Sequence, residues 1–478
     1  MNREKALVKN TLILALGTYL PKLTTIITLP LLTGNLTKEG YGTYDLILTL
    51  VALLLPAMTL QIQSAAFRFL INHRHSKHEI STVVSNILAF TVCASIVGLL
   101  IVFFIIGHRF SLSLKLLMIL YFFLDIIYIC CGQITRGLGK NALYASTAVI
   151  LSVVNLAGIC IAVYGVANIL NGIIVSMIVS CGIGITLLFC RVGIFSYFSF
   201  EEISIQKIKK LLSYSWPMVP NALSNWVLSL SDRLLIVGFL GIESNAIYAA
   251  ANKIPNLAKT LQGTFASAWQ ENASLSVDDK DASGYYSKIF DKTNGIVIGL
   301  VAMLIATAPL FFFLLIRGDY EKAYPQMAIL YVGVYFSCMS TFLGGIYVAY
   351  MRTKSVGLTT LAAAVCNIGI NLIAMPHIGL FAASISTMVS YALLFLFRII
   401  NMRKFNKIVI NYKKLLLYLI VIIIMCYFVY QRKWLFNILN AVLGIIFMWV
   451  VNKELFCNGV LSVIRKIRKK RIKNHVED

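Results

Sequence analysis

The chain has 478 residues, of which 59% are hydrophobic and only 13% charged, where a soluble domain carries roughly a quarter. That composition excludes an ordinary water-soluble enzyme and leaves a multi-pass membrane protein. The net charge of +23 does not indicate nucleic acid, because Lys and Arg gather in short segments between apolar runs instead of forming one soluble patch.

A helix needs about 20 apolar residues to cross a bilayer. Runs of that kind predict spans at 9–32, 43–67, 80–106, 113–134, 142–164, 170–190, 215–238, 245–268, 293–316, 325–350, 356–375, 379–398, 414–430 and 435–452. The fold class is an all-α polytopic membrane protein with about 14 transmembrane helices. The first run is longer than a signal-peptide core and lacks a small-residue cleavage site, so it is read as a membrane helix, with the mature chain starting near Met1.

With the N-terminus in the cytoplasm, the basic segments all fall on the inner side. They are the N-terminus, 68–77, 136–140, 191–210, 352–354, 398–414 and the tail from Lys453. The expectation is a cytoplasmic (inner) membrane protein with both termini cytoplasmic. Between spans 6 and 7, Ser199 and Glu202 have capping-box spacing. Ile205, Ile208 and Leu212 share a face opposite Lys207, Lys209 and Lys210, which predicts an interfacial elbow helix. The tail VLSVIRKIRKKRIK has the pattern of a basic amphipathic helix on the inner leaflet, and 269–292 that of an exposed loop. External loops are short, so no outside segment is large enough for a catalytic domain.

The sequence repeats itself. GNLTKEGYGTY at 34–44 aligns with GFLGIESNAIY at 238–248 at a constant offset of 204, matching Gly34 with Gly238, Leu36 with Leu240, Glu39 with Glu243 and Tyr44 with Tyr248. Both copies open a set of six spans that starts in the cytoplasm, so the expected architecture is two parallel six-helix repeats around a central cavity, plus two C-terminal helices. The expected divisions are an N-terminal bundle 1–198, the elbow 199–213, a C-terminal bundle 214–400, additional helices in 401–455 and a basic tail 456–478. Pro21 and Pro56 in the first copy, and Pro217, Pro220 and Pro255 in the second, predict interrupted leading helices near a binding region.

Helical spacing gathers polar residues on the leading spans. Asp45, Thr49, Ala52, Pro56, Thr59 and Gln63 share a face of span 2, and the offset carries that face to Ala249, Lys253, Asn256, Thr260, Gly263 and Ser267. Span 1 offers Thr11, Thr18, Lys22 and Thr25, and span 7 offers Asn221, Asn225, Ser229 and Asp232 beside Arg233. Small and hydroxyl residues of this kind also glue helices together. The ionisable ones demand more, because charge inside a bilayer needs water or a partner. Lys22, Lys253 and Lys259 lie away from span ends, and Asp232 is placed either to neutralise a lysine of span 8 or to touch substrate. The substrate-pathway candidates are therefore Lys22, Asp45, Asp232, Arg233, Lys253, Asn256 and Lys259. An excess of fixed cations suits an anionic cargo such as a lipid pyrophosphate. Asp125 in span 4 has no evident role.

Other chemistry is not expected. The ten cysteines fall in or at the ends of apolar runs with no CxxC pair and read as packing residues. His73, His75 and His78 lie among cations at a spacing that matches no zinc pattern, so no metal site is expected. No Walker, GxSxG or HExxH motif is present, and RGLGK at 136–140 reads as a basic turn; no catalytic residues are expected.

Residues 31–45, with Gly34, Leu36, Gly42, Tyr44 and Asp45 in a G-x-L-x5-G-x-Y-D pattern, resemble the opening of the Wzx-type polysaccharide and O-antigen repeat-unit flippases. These form a family of the multidrug, oligosaccharidyl-lipid and polysaccharide exporter superfamily. WPMVPNALSNWVLSLSDRLLIVGFLG with its Asp232–Arg233 pair, IYAAANKIPNL and RGLGKNALYASTAVILSVVNL resemble the same family, over roughly residues 7–400 in register. The resemblance implies two six-helix bundles working by alternating access. Its implied cargo is an undecaprenyl-pyrophosphate-linked oligosaccharide carried from the inner to the outer leaflet for surface polysaccharide biosynthesis. Membrane lipids, a polysaccharide polymerase and a chain-length regulator are the partners it allows, and a proton or other cation the coupling ion; no cofactor is implied. Family members are often cationic inside, an expectation that falls here on Lys22, Arg233, Lys253 and Lys259.

Three alternatives stay open. A multidrug and toxin extrusion-type antiporter usually has a carboxylate in its first helix, where this chain has Lys22. A membrane polysaccharide polymerase or glycosyltransferase would be expected to display a large external loop. A lipid II flippase would handle the same pyrophosphate-lipid group.

Overall fold

The computed structural model describes residues 3–72, 74, 76–106 and 110–454, with side chains for all of these but 3–16, 72, 106, 264 and 267. His73, His75 and the expected tail helix lie outside the described residues. Among those described, all regular structure is helical. In chain order the helices are α1 (Arg3–Asn35), α2 (Lys38–Thr59), α3 (Ile62–Asn72), α4 (Lys77–Ile106), α5 (Leu112–Gly137), α6 (Asn141–Gly165), α7 (Ile169–Val192), α8 (Ile194–Tyr197) and α9 (Ile205–Ser215). There follow α10 (Val219–Leu240), α11 (Ile242–Leu275), α12 (Ala282–Ala306), α13 (Ala308–Leu315), α14 (Tyr324–Ala349), α15 (Thr353–Ile378), α16 (Leu380–Met402), α17 (Tyr412–Tyr430) and α18 (Trp434–Val451). Twelve described stretches are long and apolar enough to cross a membrane. Helices α1 and α11 stand where the sequence predicts the other two spans.

Several local expectations give way to other forces. Span 43–67 is divided into α2 and α3 at Leu60 and Gln61, whose φ angles of 48° and 61° are left-handed. That conformation strains a residue with a β-carbon, and polar side chains hold it. Thr59 donates to Gln63 Oε1 at 2.8 Å, while Gln63 and Ser64 both donate to Gln61 Oε1 at 3.2 Å. Span 293–316 is likewise divided at Thr307, between α12 and α13. The prolines, by contrast, do not interrupt the other leading helices: Pro21 and Pro30 lie inside a continuous α1, and Pro255 inside a continuous α11. Membrane helices tolerate such residues, and α1 also carries side-chain bonds from Thr24 to the Pro21 carbonyl at 2.8 Å and from Thr25 to the Lys22 carbonyl at 2.6 Å.

The capping box is not formed. Residues 200–202 make a 3-10 turn, the Ser199 hydroxyl caps nothing, and the Ser199 amide donates instead to Ser85 Oγ at 2.9 Å. Glu202 turns toward α4 and α9, accepting from the Thr82 hydroxyl and from Lys207 Nζ at 2.8 Å, with His78 Nδ1 at 2.9 Å. The hydrogen bonds from Lys207 and Thr82, aided by the charges of His78 and Lys207, hold the Glu202 carboxyl below its ordinary range. Asn86 locks the same turn, donating to the Glu202 carbonyl and accepting from the Ser204 amide, both at 2.8 Å. In α9, Ile205 is exposed, but Leu211 is buried and Leu212 packs on the apolar cluster of α3, α4 and α5 instead of facing lipid. Much of the expected loop 269–292 is also helical, with only 276–281 between α11 and α12.

Two compact units result. The first comprises Met1–Lys253, Leu314–Tyr320 and Ala364–Ala383. Its apolar cluster includes Ile62, Leu70, Ile87 and Ile134 together with Cys130 and Cys131, so these cysteines act as small packing residues. The nine described cysteines are all free thiols. The second unit comprises Ile254–Phe313, Glu321–Ala363 and Ser384–Asp478. There Trp269 stacks on Phe342 at 4.4 Å and donates to its carbonyl at 2.9 Å. Arg398 is buried among Ser340, Thr359 and Thr360, with Nη1 2.5 Å from the Ser340 carbonyl, and Gly344 leaves room for it. No carboxylate pairs with it among the described residues.

Candidate functional site

In the first unit the leading helices bring distant charges together. Helix α2 starts sharply because Thr37 caps it, accepting from the Gly40 amide at 3.1 Å, and Glu39 complements its first turn. Gly42 then lets α2 meet the start of α11: a β-carbon there would lie 2.1 Å from the Ile242 carbonyl oxygen. Asn245 donates to the Gly42 carbonyl at 2.9 Å. The offset of 204 places Lys38 opposite Ile242, the first residue of each helix, so the repeat marks equivalent helix starts.

One turn further, Asp45 and Arg233 form an ion pair with Nε to Oδ2 at 2.6 Å, and both residues are almost wholly buried, at 4% and 3% exposure. The pair joins α2 to α10, and Trp226 reinforces the junction by donating to the Thr49 carbonyl at 3.1 Å. Arg233 also donates to the Ser229 carbonyl at 3.3 Å and lies 5.8 Å from the Tyr248 ring. Its neighbour Asp232 points elsewhere, accepting from Tyr248 Oη at 2.8 Å and from Asn371 Nδ2 at 2.7 Å. Adjacent helical residues diverge by about 100°, which lets the two charges serve separate partners.

Lys253 is half-buried, with its ammonium 5.9 Å from the Tyr44 ring centroid. Lys22 on α1 is exposed and lies within electrostatic range of Lys253. Among the described residues neither lysine has a carboxylate at ion-pairing distance. Thr18 and Thr25 on α1, and Asn221 and Asn225 on α10, are exposed as well. These polar residues form a ribbon, and wherever it lies at membrane depth it requires water beside it. Among the described residues Arg233 is paired with Asp45, while Lys22 has no carboxylate at ion-pairing distance and Lys253 lies only within electrostatic range of Asp45.

Asn256 and Lys259 follow on α11 in the second unit, both half-buried, where the Lys259 ammonium stands 4.5 Å from the Tyr391 ring centroid. Thr49, Pro56, Thr59 and Gln63 of the polar α2 face are buried. Asp125 on α5 has Cys181 Sγ at 3.9 Å from its Oδ1. Sequence reasoning missed Tyr44, Tyr248 and Asn371 as partners of the charges. The two tyrosines did carry a signal, since they are the repeat's matched aromatic positions.

The fold is that of known membrane transporters. The chain resembles the lipid II flippase MurJ in an inward closed conformation, with a TM-score of 0.72 and 13% identity over 94% of this chain and 100% of that one. An inward-facing multidrug resistance MATE family transporter of the MOP superfamily gives 0.64 at 14% identity over 82% and 98%. A MOP superfamily transporter from Pyrococcus furiosus gives 0.58 at 14% identity over 84% and 96%. No curated protein matches the sequence. A family model described as polysaccharide biosynthesis protein matches residues 7–270, more than half of the chain. The chain therefore belongs to the polysaccharide biosynthesis protein family.

Proposed function

We propose that this protein is a flippase that moves polyprenyl-pyrophosphate-linked oligosaccharide repeat units from the inner to the outer leaflet of the cytoplasmic membrane by alternating access. The observation that carries the reading is the polar ribbon with two cations, exposed Lys22 and half-buried Lys253, that have no carboxylate at ion-pairing distance among the described residues. A pyrophosphate is a compact dianion or more, and fixed ammonium groups beside low-dielectric walls raise its local concentration. The glycan's hydroxyls match the threonines and asparagines of the same ribbon, while the polyprenyl chain stays in lipid. Membership in a polysaccharide biosynthesis family supports the glycan half of the reading, and the resemblance to a lipid II flippase supports the lipid half.

The reading includes fourteen spans with α1 and α11 counted among them, cytoplasmic termini, and the division into two six-helix repeats with two further helices. A proton or cation gradient would drive the cycle, and a polymerase with its chain-length regulator would consume the product.

The test is export in cells. Lys22→Ala and Lys253→Ala, at matched membrane levels, are expected to lower surface polymer at least ten-fold and to accumulate lipid-linked oligosaccharide on the cytoplasmic side. Normal polymer in both variants would remove the ribbon from the pathway. Accumulation of a peptidoglycan precursor instead would reassign the cargo.

A further inference from the structure

In the second unit, the ends of three helices line a niche of about 510 Å³, within the range typical of small-ligand sites. Lys288 and Lys292 contribute from α12, Lys414 from the start of α17 and Lys453 from just past α18, with Asp291 and Glu454 the acidic residues in its wall. Lys288 and Lys292 are four apart and share a helix face. The lining thus holds four ammonium groups against two carboxylates.

The shape is built in. Asn452, 4% exposed, donates to the Gly295 carbonyl at 3.0 Å and ties the end of α18 to α12, where a β-carbon on Gly295 would meet Asn452 Oδ1 at 3.2 Å. Tyr418, also buried, lines the niche beside Lys414, whose ammonium is 5.7 Å from its ring centroid. On the same side, the Ser287 hydroxyl accepts from the Val409 amide at 2.9 Å and Ser283 donates to the Lys407 carbonyl at 2.6 Å, which anchors the segment before α17 to α12.

The depth of the niche follows from the sequence. On α17 and α18, apolar runs change to charged residues at its wall: Lys413 and Lys414 precede LLLYLIVIII, and Asn452, Lys453 and Glu454 follow GIIFMWVV. It therefore sits at headgroup level, at the end to which the basic segments assign the cytoplasm. Leu416, Leu417, Trp449 and Val450, next to the lysines, are exposed, so whatever binds meets cations and an apolar surface together. A free phosphate satisfies only the first of these.

We propose that this niche holds the phosphate-bearing headgroup of a resident anionic phospholipid, with its acyl chains against Leu416, Leu417 and Val450. Basic pockets between membrane helices on the cytoplasmic side recognise such headgroups. The site is separate from the cargo ribbon and stands whether or not the cargo reading holds.

The test uses the purified full chain in neutral detergent, titrated with phosphatidylglycerol, phosphatidylcholine, undecaprenyl pyrophosphate or inorganic phosphate and read by native mass spectrometry. Phosphatidylglycerol is expected to bind at least ten-fold more tightly than phosphatidylcholine. Lys292→Gln/Lys414→Gln should remove that preference, and Asp291→Asn/Glu454→Gln should strengthen it. Lys22→Ala/Lys253→Ala should leave it intact, which separates this outcome from the export experiment. Unchanged preference in both niche variants would overturn the assignment. Inorganic phosphate binding as tightly as the lipid would overturn its lipid part, and selective loss of undecaprenyl pyrophosphate, with phosphatidylglycerol retained, would give the niche to cargo.

Discussion

The Asp45–Arg233 pair allows a quantitative test of whether it frames the ribbon or touches cargo. Replacing Asp45 with Asn keeps the volume but takes the ion-pair partner from a guanidinium that is 3% exposed and that, among the described residues, keeps the Ser229 carbonyl, the Tyr248 ring at 5.8 Å and the more distant Asp232 charge. Removing one partner of a buried pair costs about 3–5 kcal/mol. Arg233→Met is expected to cost less, because the Asp45 carboxylate it leaves still has the Lys253 charge within electrostatic range. The double variant has neither charge, and replacing a buried pair by neutral groups of similar volume is often close to neutral. It should return to within about 1 kcal/mol of the parent, a coupling of at least about 2 kcal/mol between the sites. The measurement is unfolding in mixed micelles with increasing denaturing detergent, followed by helical circular dichroism, for all four proteins. Additive losses would refute the pairing as a stabilising element. Export adds a second readout: each single variant should lose surface polymer and the double variant should regain it. A double variant that is stable yet silent in export would make Arg233 a cargo contact and overturn its role as frame.

Two further outcomes follow from packing and charge. Gly42→Ala places a methyl group 2.1 Å from the Ile242 carbonyl oxygen, and overpacking of this kind costs about 1–3 kcal/mol. At Gly238, which opens the second copy of the repeat, a β-carbon would meet nothing within 4 Å; Gly238→Ala should be neutral or gain up to about 1 kcal/mol from helix propensity. The same unfolding series distinguishes them, and equal effects would contradict the close approach of α2 and α11. Glu202 gives a pH dependence. Its carboxyl is depressed in the folded chain, so its contribution is complete above the ordinary value of 4.5 and is lost as pH falls through the lower folded value. Hydrogen exchange of α9 in nanodiscs should rise below about pH 4.5, and Glu202→Gln should abolish that rise. Exchange that stays pH-dependent in the variant would place the titration elsewhere.

The helical, membrane-spanning character was legible because it rests on composition and run length, which require no knowledge of contacts. The repeat was legible too, down to the residues that begin α2 and α11. What escaped was decided by partners far along the chain. Nothing near Glu202 signals that Thr82 and His78, some 120 residues earlier, would outcompete Ser199 for it. The break at Leu60 and Gln61 depends on a hydrogen-bonded group of Thr59, Gln61, Gln63 and Ser64, of which the sequence reading placed Thr59 and Gln63 on one continuous polar helix face. In the candidate site, helical spacing singled out Asp45, Asp232 and Arg233 but not their partners. Asp45 and Arg233 are 188 residues apart, and their proximity arises from the packing of α2 on α10. The tyrosines were read as parts of the shared fold, although Tyr248 donates to Asp232 and Tyr44 lies beneath Lys253.

The ion pair also breaks the symmetry that the repeat sets up. Shifted by 204, Asp45 becomes Ala249 and Arg233 becomes Leu29, two apolar residues with no directional preference. A hydrogen-bonded charge pair is directional and holds α10 on α2 in one register, and the Trp226 bond to the Thr49 carbonyl holds the same joint. The repeated positions carry no such charges, so the latch belongs to α2 and α10 alone. Any movement of α2 has α10 as its fixed neighbour, through two residues that the offset does not repeat.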